Sequence, residues 1–346
     1  MRRLNILVTG AGSGVGQSII KALRISKTNC NIISADIDYF NAGFYRTKKS
    51  IIVPKVEKAG SLNWYIKNLK KLKIDILMIG SEFDLVFFSK HKDIIKKKTN
   101  CEVCVSKFNT VKIANDKYLT QNFLKKNKLP YLKTFAVNNL NDALKKAKKL
   151  KIPFVLKSRF GTSARSVYLI KKIKELKFFF NLIKKPILQE HLGSLNNDLK
   201  TEYTCSFFTT KNKKVIGPFI ARRKLLYGTS WVTEVKENKK ISKLIMKIAS
   251  HLDNTGSFNV QLRIGKKGPI PFEFNPRFSG TTSIRAHFGF NEPAMFIKNY
   301  ILNKKIINPV IRPGISFRYI EEIFLDSSNI SMLSKKIGKG KINKWF

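Results

Sequence analysis

Four side chains within one short stretch have the types and spacing to do chemistry together: Gln261, Glu273, Asn275 and Arg277. Residues 257–264 alternate, with Phe258, Val260 and Leu262 on one face and Asn259, Gln261 and Arg263 on the other. Residues 270–275 alternate again, setting Phe272 and Phe274 against Glu273 and Asn275. This period of two predicts two half-buried strands. Residues 265–269 between them fit a three-residue hairpin loop with Gly268 left-handed. Pairing Gly265 with Pro269 sets Gln261 opposite Glu273 and Asn259 opposite Asn275. Same-face neighbours lie roughly 7 Å apart along a strand and about 5 Å apart across it. The oxygen-bearing side chains therefore share one patch, with Arg277 just beyond. Hard divalent cations, Mg²⁺ above all, want such a site, completed by nucleotide phosphates and water.

Other candidates are spread through the chain. Residues 152–157 read as a strand ending in Lys157, followed by a loop of small residues with Gly161, Thr162, Ser163, Arg165 and Ser166. A strand-borne lysine and a flexible loop together suit a phosphate clamp and its lid. Asp116 is placed to cap a helix that begins at Lys117. Near the N-terminus, an apolar strand over residues 4–9 runs into Gly10, Gly12, Ser13, Gly14 and Gly16, then a helix, then a strand ending at Asp36. A glycine turn at a helix N-terminus suits an anion. Asp36 is equally a strand-end cap or a ligand. Residues 74–79 form another apolar strand, and Glu82 and Asp84 follow it; parallel sheets bind ligands at that end. These two carboxylates serve the acceptor site or cap the next helix. Arg222 and Arg285 suit a substrate carboxylate or phosphate.

Composition narrows the classes. The chain has 346 residues, 43% hydrophobic and 11% aromatic, enough for two or three packed units of a folded protein. No apolar run approaches the ~20 residues of a membrane span, and a cytoplasmic protein is the expectation. The net charge of +45 invites a nucleic-acid reading. Only 13 of the 67 basic residues are arginine, however, and the lysines are spread over polar helix faces. A positive surface that draws anions, ATP included, is the remaining consequence. Cys101 and Cys104 have metal-ligand spacing, but no second pair completes a zinc site and the segment reads as a strand.

The elements that must position these residues give an α/β architecture, α+β in its second half. The expected units are a Rossmann-like parallel-sheet domain over residues 1–112, a lid subdomain over 113–185, a second subdomain over 186–305, and a C-terminal strand and tail over 306–346. The tail from Lys335 reads as loosely ordered, and a late strand is expected around Arg318 and Glu321.

The run Glu273-Phe-Asn275-Pro-Arg277 with Gln261 upstream resembles the metal-binding signature of the ATP-grasp superfamily. The similarity is greatest to its carbamoyl-phosphate-synthase-like branch, including single-module ligases of the pyrrolysine-biosynthesis type. The resemblance spans residues 5–300 in the family's order, with Asp116-Lys117, Lys157 and its lid, Glu190, and Glu202-Tyr203-Thr204 between. It implies an ATP-dependent carboxylate–amine ligase working through an acyl phosphate on an amino acid or small carboxylate. Gln261, Glu273 and Asn275 would hold two Mg²⁺ ions, with Mn²⁺ as a substitute. Arg277 would face the transferring phosphoryl group. Lys117, Lys157, Gly161, Thr162 and Ser163 would hold the phosphates, Glu190 and Leu192 the adenine, and Glu202 the ribose; a loop insertion over residues 194–199 separates the last two more than usual. Lys157, Glu273 and Arg277 would carry the chemistry. Gly12, Ser13, Glu82, Asp84, Arg222 and Arg285 would bear on the acceptor. His191 reads as a surface residue. The implied partners are a small carboxylate and an amine, with no membrane or nucleic acid and a homodimer left open. Two other readings compete. The glycine loop is similar to that of short-chain NAD(P)-dependent dehydrogenases, whose Tyr-x-x-x-Lys spacing recurs at Tyr45/Lys49 and Tyr168/Lys172. The charge alone would fit a nucleic-acid-binding protein, with a steep salt dependence.

Overall fold

The computed structural model describes residues 2–161, 167–193, 199 and 202–324. Thr162, Ser163, Arg165 and Ser166 of the expected lid, the insertion around residues 194–198, and the tail from Lys335 lie outside the described residues.

Three sheets organise the chain. The first contains β1 (Leu4–Val8), β2 (Cys30–Asp36), β3 (Lys49–Ile52), β4 (Ile76–Met78) and β5 (Glu102–Cys104), all parallel in the order β3-β2-β1-β4-β5. Its strands are apolar on both faces because helices cover both. Leu7, Leu77 and Val103 pack on one side with Tyr65 and Phe88, and Ile6, Val8 and Met78 on the other.

The second sheet is small and antiparallel: β6 (Thr134–Ala136), β7 (Phe154–Ser158), β8 (Val167–Ile170) and β9 (Pro186–Glu190), in the order β6-β9-β7-β8. Here β9 pairs with β6 and β7, so this sheet spans the expected boundary at residue 185.

The third sheet has β10 (Glu202–Thr209), β11 (Val215–Leu226), β12 (Thr229–Val235), β13 (Gly256–Gly265), β14 (Gly268–Asn275) and β15 (Gly314–Phe317), in the order β14-β13-β10-β11-β12-β15. Helix Lys239–Ser250 packs on one face through Ile241, Leu244, Ile245 and Ile248, meeting Tyr203, Cys205, Phe258, Val260, Leu262 and Phe274. Alternation then turns Glu202, Thr204, Asn259, Gln261, Glu273 and Asn275 to the opposite face. Beyond the site, Phe208, Phe219 and Ala221 share a core with Ile6, Val8 and Met78 of the first sheet, through Phe288, Phe290 and Phe296.

One expectation on strands is corrected. The last strand among the described residues lies at 314–317, and Arg318 only begins the chain beyond it. Arg222 and Arg223 lie inside the long β11, whose hairpin turn falls at Tyr227 and Gly228, both with positive φ.

Candidate functional site

The hairpin that carries the oxygen-bearing residues keeps the expected register by a different route. Gly265 pairs with Gly268, not Pro269, so the loop holds two residues; a shift between Gln261 and Leu262 then restores Gln261 opposite Glu273 and Asn259 opposite Asn275. Gly268 supplies the positive φ of the turn, +105°. Gly265 leaves room for Leu192, whose Cδ2 would stand 3.3 Å from a Cβ added there. The segment after β9 thereby packs against the hairpin.

Around Glu273 the side chains form a directed network. Gln261 Nε2 and Asn275 Nδ2 both donate to Glu273 Oε1, at 3.3 and 3.0 Å. Arg223 Nη2 donates to Gln261 Oε1 at 2.7 Å. A guanidinium only donates and a carboxylate only accepts, so both ends of the Gln261 amide are fixed by their partners. Among the described residues no donor meets Glu273 Oε2 or Asn275 Oδ1. These two oxygens fit a hard cation, whereas the Gln261 carbonyl reaches one only on leaving Arg223. Asn259 Oδ1 is taken by Thr204 Oγ1 at 2.8 Å and by Arg285.

Lysines approach from the lid side. Lys157, on β7, is only 8% exposed. Burial and the nearby Lys117 pull its pKa down to about 8, with Arg263 adding to this and Glu273 opposing it. Lys117 has its pKa lowered by burial, against the pull of Glu273, Glu82 and Asp116; its ammonium donates to Gly161 O at 2.5 Å. Asp116 caps helix Lys117–Lys126 through the N–H groups of Tyr118 and Leu119 and also holds Arg159 at 2.7 Å. One carboxylate thus ties the start of that helix to the residue that follows β7. Arg277 completes the group, donating to Glu82 at 2.9 Å and to Phe278 O at 2.8 Å. Glu82 therefore comes to the site through Arg277 and Lys117.

Other expected residues do something different. Both oxygens of Glu202 are held by arginines: Oε1 by Arg223 Nε and Nη2 at 3.1 and 2.7 Å, Oε2 by Arg263 Nε and Nη2 at 3.0 and 2.6 Å. Burial would raise its pKa, but the two guanidiniums prevail and hold the carboxyl below the usual range. Four bonds use its acceptor sites, so a ribose hydroxyl reaches it only by displacing an arginine. Arg222 faces away from the site, paired with Glu234; its neighbour Arg223 is the one that faces it. Arg285 is fully buried, paired with Glu292 at 3.1 Å, and reaches no space a substrate could enter. Glu190 accepts from Lys133 N at 3.2 Å at the end of β9. His191 is half-buried, and burial and Arg263 lower its pKa.

The glycine loop is also filled from within. Gly12 N donates to Asp36 Oδ2 at 2.7 Å, so the carboxylate takes the place of an external anion. Ser13 Oγ donates to Gly80 O at 2.8 Å and accepts from Gly16 N at 3.0 Å. A Cβ on Gly12 would stand 2.7 Å from Asn41 Cβ, so the cradle is occupied by Asn41. Asp36 is a cap here, and with Asn41 it occupies the Gly12 end of the loop. Asp84 lies at the carboxyl end of the same sheet, pushed up to about 6 by burial, with Thr9 opposing and Asp36 adding. Cys101 and Cys104 are buried, and burial pushes both thiols up. Sequence reasoning did not find Arg223, Arg263 or Arg159. Arg263 stood on the polar face of the hairpin and could have been found there.

A family model described as "ATP-grasp in the biosynthetic pathway with Ter operon" matches residues 195–323. No curated protein matches the sequence. Among solved structures, N5-carboxyaminoimidazole synthetase from Staphylococcus aureus, complexed with ADP, superposes with a TM-score of 0.74 at 16% identity, covering 92% of this chain and 83% of that one. The biotin carboxylase domain of the Hydrogenobacter thermophilus 2-oxoglutarate carboxylase gives 0.72 at 12% identity, with 95% and 81% covered. The L-amino acid ligase from Bacillus licheniformis gives 0.65 at 17%, with 86% and 74% covered. The fold of this chain is the ATP-grasp fold. Among the described residues, no helix is long and apolar enough to cross a membrane.

Proposed function

We propose that this chain of ATP-grasp fold is an ATP-dependent ligase joining a small carboxylate to an amine. The observation that carries the reading is the convergence of Lys117 and Lys157 from the lid side on Glu273, beside Asn275, Gln261 and Arg277. Such a set of two ammoniums, one guanidinium and hard oxygen donors suits a triphosphate with its metal.

In this reading a substrate carboxylate oxygen attacks the γ-phosphorus of ATP, and ADP leaves with the electrons of the broken P–O bond. The resulting acyl phosphate is attacked at carbon by a neutral amine. Phosphate then departs, and the amine's proton is lost to solvent. Lys157 and Lys117 bind and orient the phosphates, and positioning supplies most of the rate. Arg277 faces charge that develops on the transferring group, which requires Glu82 to yield its hold on the guanidinium. Mg²⁺, held by Glu273 and Asn275, would neutralise phosphate charge. Leu192, packed on Gly265, supports an adenine berth between lid and hairpin. Among carboxylates, an amino acid is the preferred candidate.

The test is phosphate release by purified protein with Mg·ATP across a panel of amino acids and small carboxylates, each with and without amines. Release that depends on one carboxylate supports the reading. Carboxylate-independent release, or none across the panel, contradicts it.

A further inference from the structure

A second cationic cluster stands at the other end of the loop that carries Arg277. Gly280, three residues on, has a carbonyl that accepts from Ser18 Oγ and from Arg318 Nη2, each at 2.8 Å. Ser18, Lys21 and Arg24 follow at spacings of three along helix Gly14–Ile25; Ser18 is buried against that loop, and Lys21 and Arg24 are exposed. Arg24 donates to the carbonyl of Arg46. Arg46 in turn pairs with Glu321 at 3.1 Å; its side chain is 10% exposed, and its Nε is buried with no hydrogen-bond partner among the described residues. Arg318 spends its guanidinium on the carbonyls of Ser230 and Gly280.

The charge is not balanced. Arg46 and Arg318 act on Lys21, Arg46 acts on Arg24, and Glu321 is the one described carboxylate that acts on Lys21 and Arg46. Burial lowers the pKa of Lys21, and Arg46 and Arg318 lower it further, with only Glu321 opposing. Burial also lowers Arg24 and Arg318, and no carboxylate offsets either. Solvated lysines elsewhere in this basic chain repel one another weakly through water. Here the Arg46 side chain is drawn out of water with no partner for its Nε among the described residues, Arg318 is half-buried, and Lys21 and Arg24 stand exposed beside them, so an anion at this rim would meet buried and solvated cations together.

We propose that Lys21, Arg24, Arg46 and Arg318 form a binding site for a phosphate or carboxylate group, separate from the triphosphate cradle. Arginine forks and a rim lysine are suited to such an anion. The group is either a free anion or the far end of a substrate whose reacting carboxylate lies near Arg277. Only the second alternative rests on the ligase reading.

The first arm of the test uses the full chain without nucleotide. Inorganic phosphate and citrate are titrated by calorimetry and thermal shift against chloride at equal ionic strength. Phosphate or citrate should bind and stabilise the wild type. Lys21→Met, at the solvent-facing rim, and Arg318→Gln should each weaken binding about tenfold, while Lys58→Met, exposed elsewhere, should not. The second arm measures KM in phosphate release for carboxylates with and without a second anionic group. A KM raised by Lys21→Met only for the doubly anionic ones assigns the site to the substrate. Weakened free-anion binding with unchanged KM assigns it to a separate ligand. If neither arm separates the two variants from wild type, the proposal is wrong. Failure of every carboxylate to release phosphate would count against the ligase reading alone, because the first arm needs no ATP.

Discussion

Lys157 should make nucleotide binding take up a proton. The residue is 8% exposed and its pKa is pulled down to about 8 by burial, then by Lys117 and Arg263. At pH 8 roughly half of the free protein therefore carries a neutral lysine. A triphosphate beside it favours the charged form and restores a pKa near or above the ordinary ~10.4. Binding at pH 8 should then absorb about half a proton, and affinity should fall about tenfold between pH 7 and pH 9. Phosphate itself contributes little there, since its second ionisation lies near pH ~6. The sign for folding is the matching one: the folded-state pKa lies below the unfolded one, so the lysine costs stability below pH ~8. That cost, on the order of 3 kcal/mol, is relieved as pH rises toward the unfolded value. The assay is calorimetry of Mg with a non-hydrolysable ATP analogue in several buffers of differing ionisation enthalpy. Observed enthalpy against buffer enthalpy should give a slope near half a proton at pH 8, and Lys157→Arg should flatten it. A flat line for the wild type, or an unchanged slope in Lys157→Arg, refutes the reasoning.

Three further outcomes follow from the same geometry. Glu273→Ala should abolish carboxylate-dependent phosphate release while circular dichroism and melting stay near wild type; near-normal turnover would remove Glu273 from the site. Glu202→Gln should lower stability by about 3–5 kcal/mol, because Arg223 and Arg263 are left without their shared anion; denaturant unfolding that matches wild type would show the clamp to be dispensable. Asp84 has a folded-state pKa of about 6, above its unfolded value, so its carboxyl costs nothing at low pH and loses stability as pH rises through the range between the two. Asp84→Asn should therefore raise stability at pH 8 by about 3 kcal/mol and change it little at pH 4, read from unfolding curves at both.

Much of the fold was legible because its patterns are local. The alternation at 257–264 and 270–275 set which residues face together, and the glycine loop and apolar strands announced the parallel sheet. The hairpin shows the limit: a two-residue loop and a bulge replaced a three-residue loop, and the register came out the same because a bulge adds one residue to one strand. Arg222 was chosen over Arg223 because nothing local fixes the parity of β11. Only its pairing with β10, twenty residues away, sets which arginine faces Glu202. The clamp on Glu202 escaped notice for a similar reason, since both arginines that hold it come from other strands. Arg285 read as a substrate grip because its partner Glu292 lies beyond a turn. Gly12 and Ser13 read as an anion cradle because the side chains that fill it, Asp36 and Asn41, arrive from a later strand and loop. Partner choice across a sheet is a tertiary fact, and sequence spacing does not encode it.

The central claim is that one metal–triphosphate cluster lies between Lys157 and the hairpin. A crystal structure with Mn²⁺ and a non-hydrolysable ATP analogue, read by its anomalous signal, tests this most directly. The account predicts metal bonded to Glu273 and Asn275, with phosphates against Lys157 and Lys117. Nucleotide in the glycine loop at residues 10–16, or metal remote from Glu273, would contradict it.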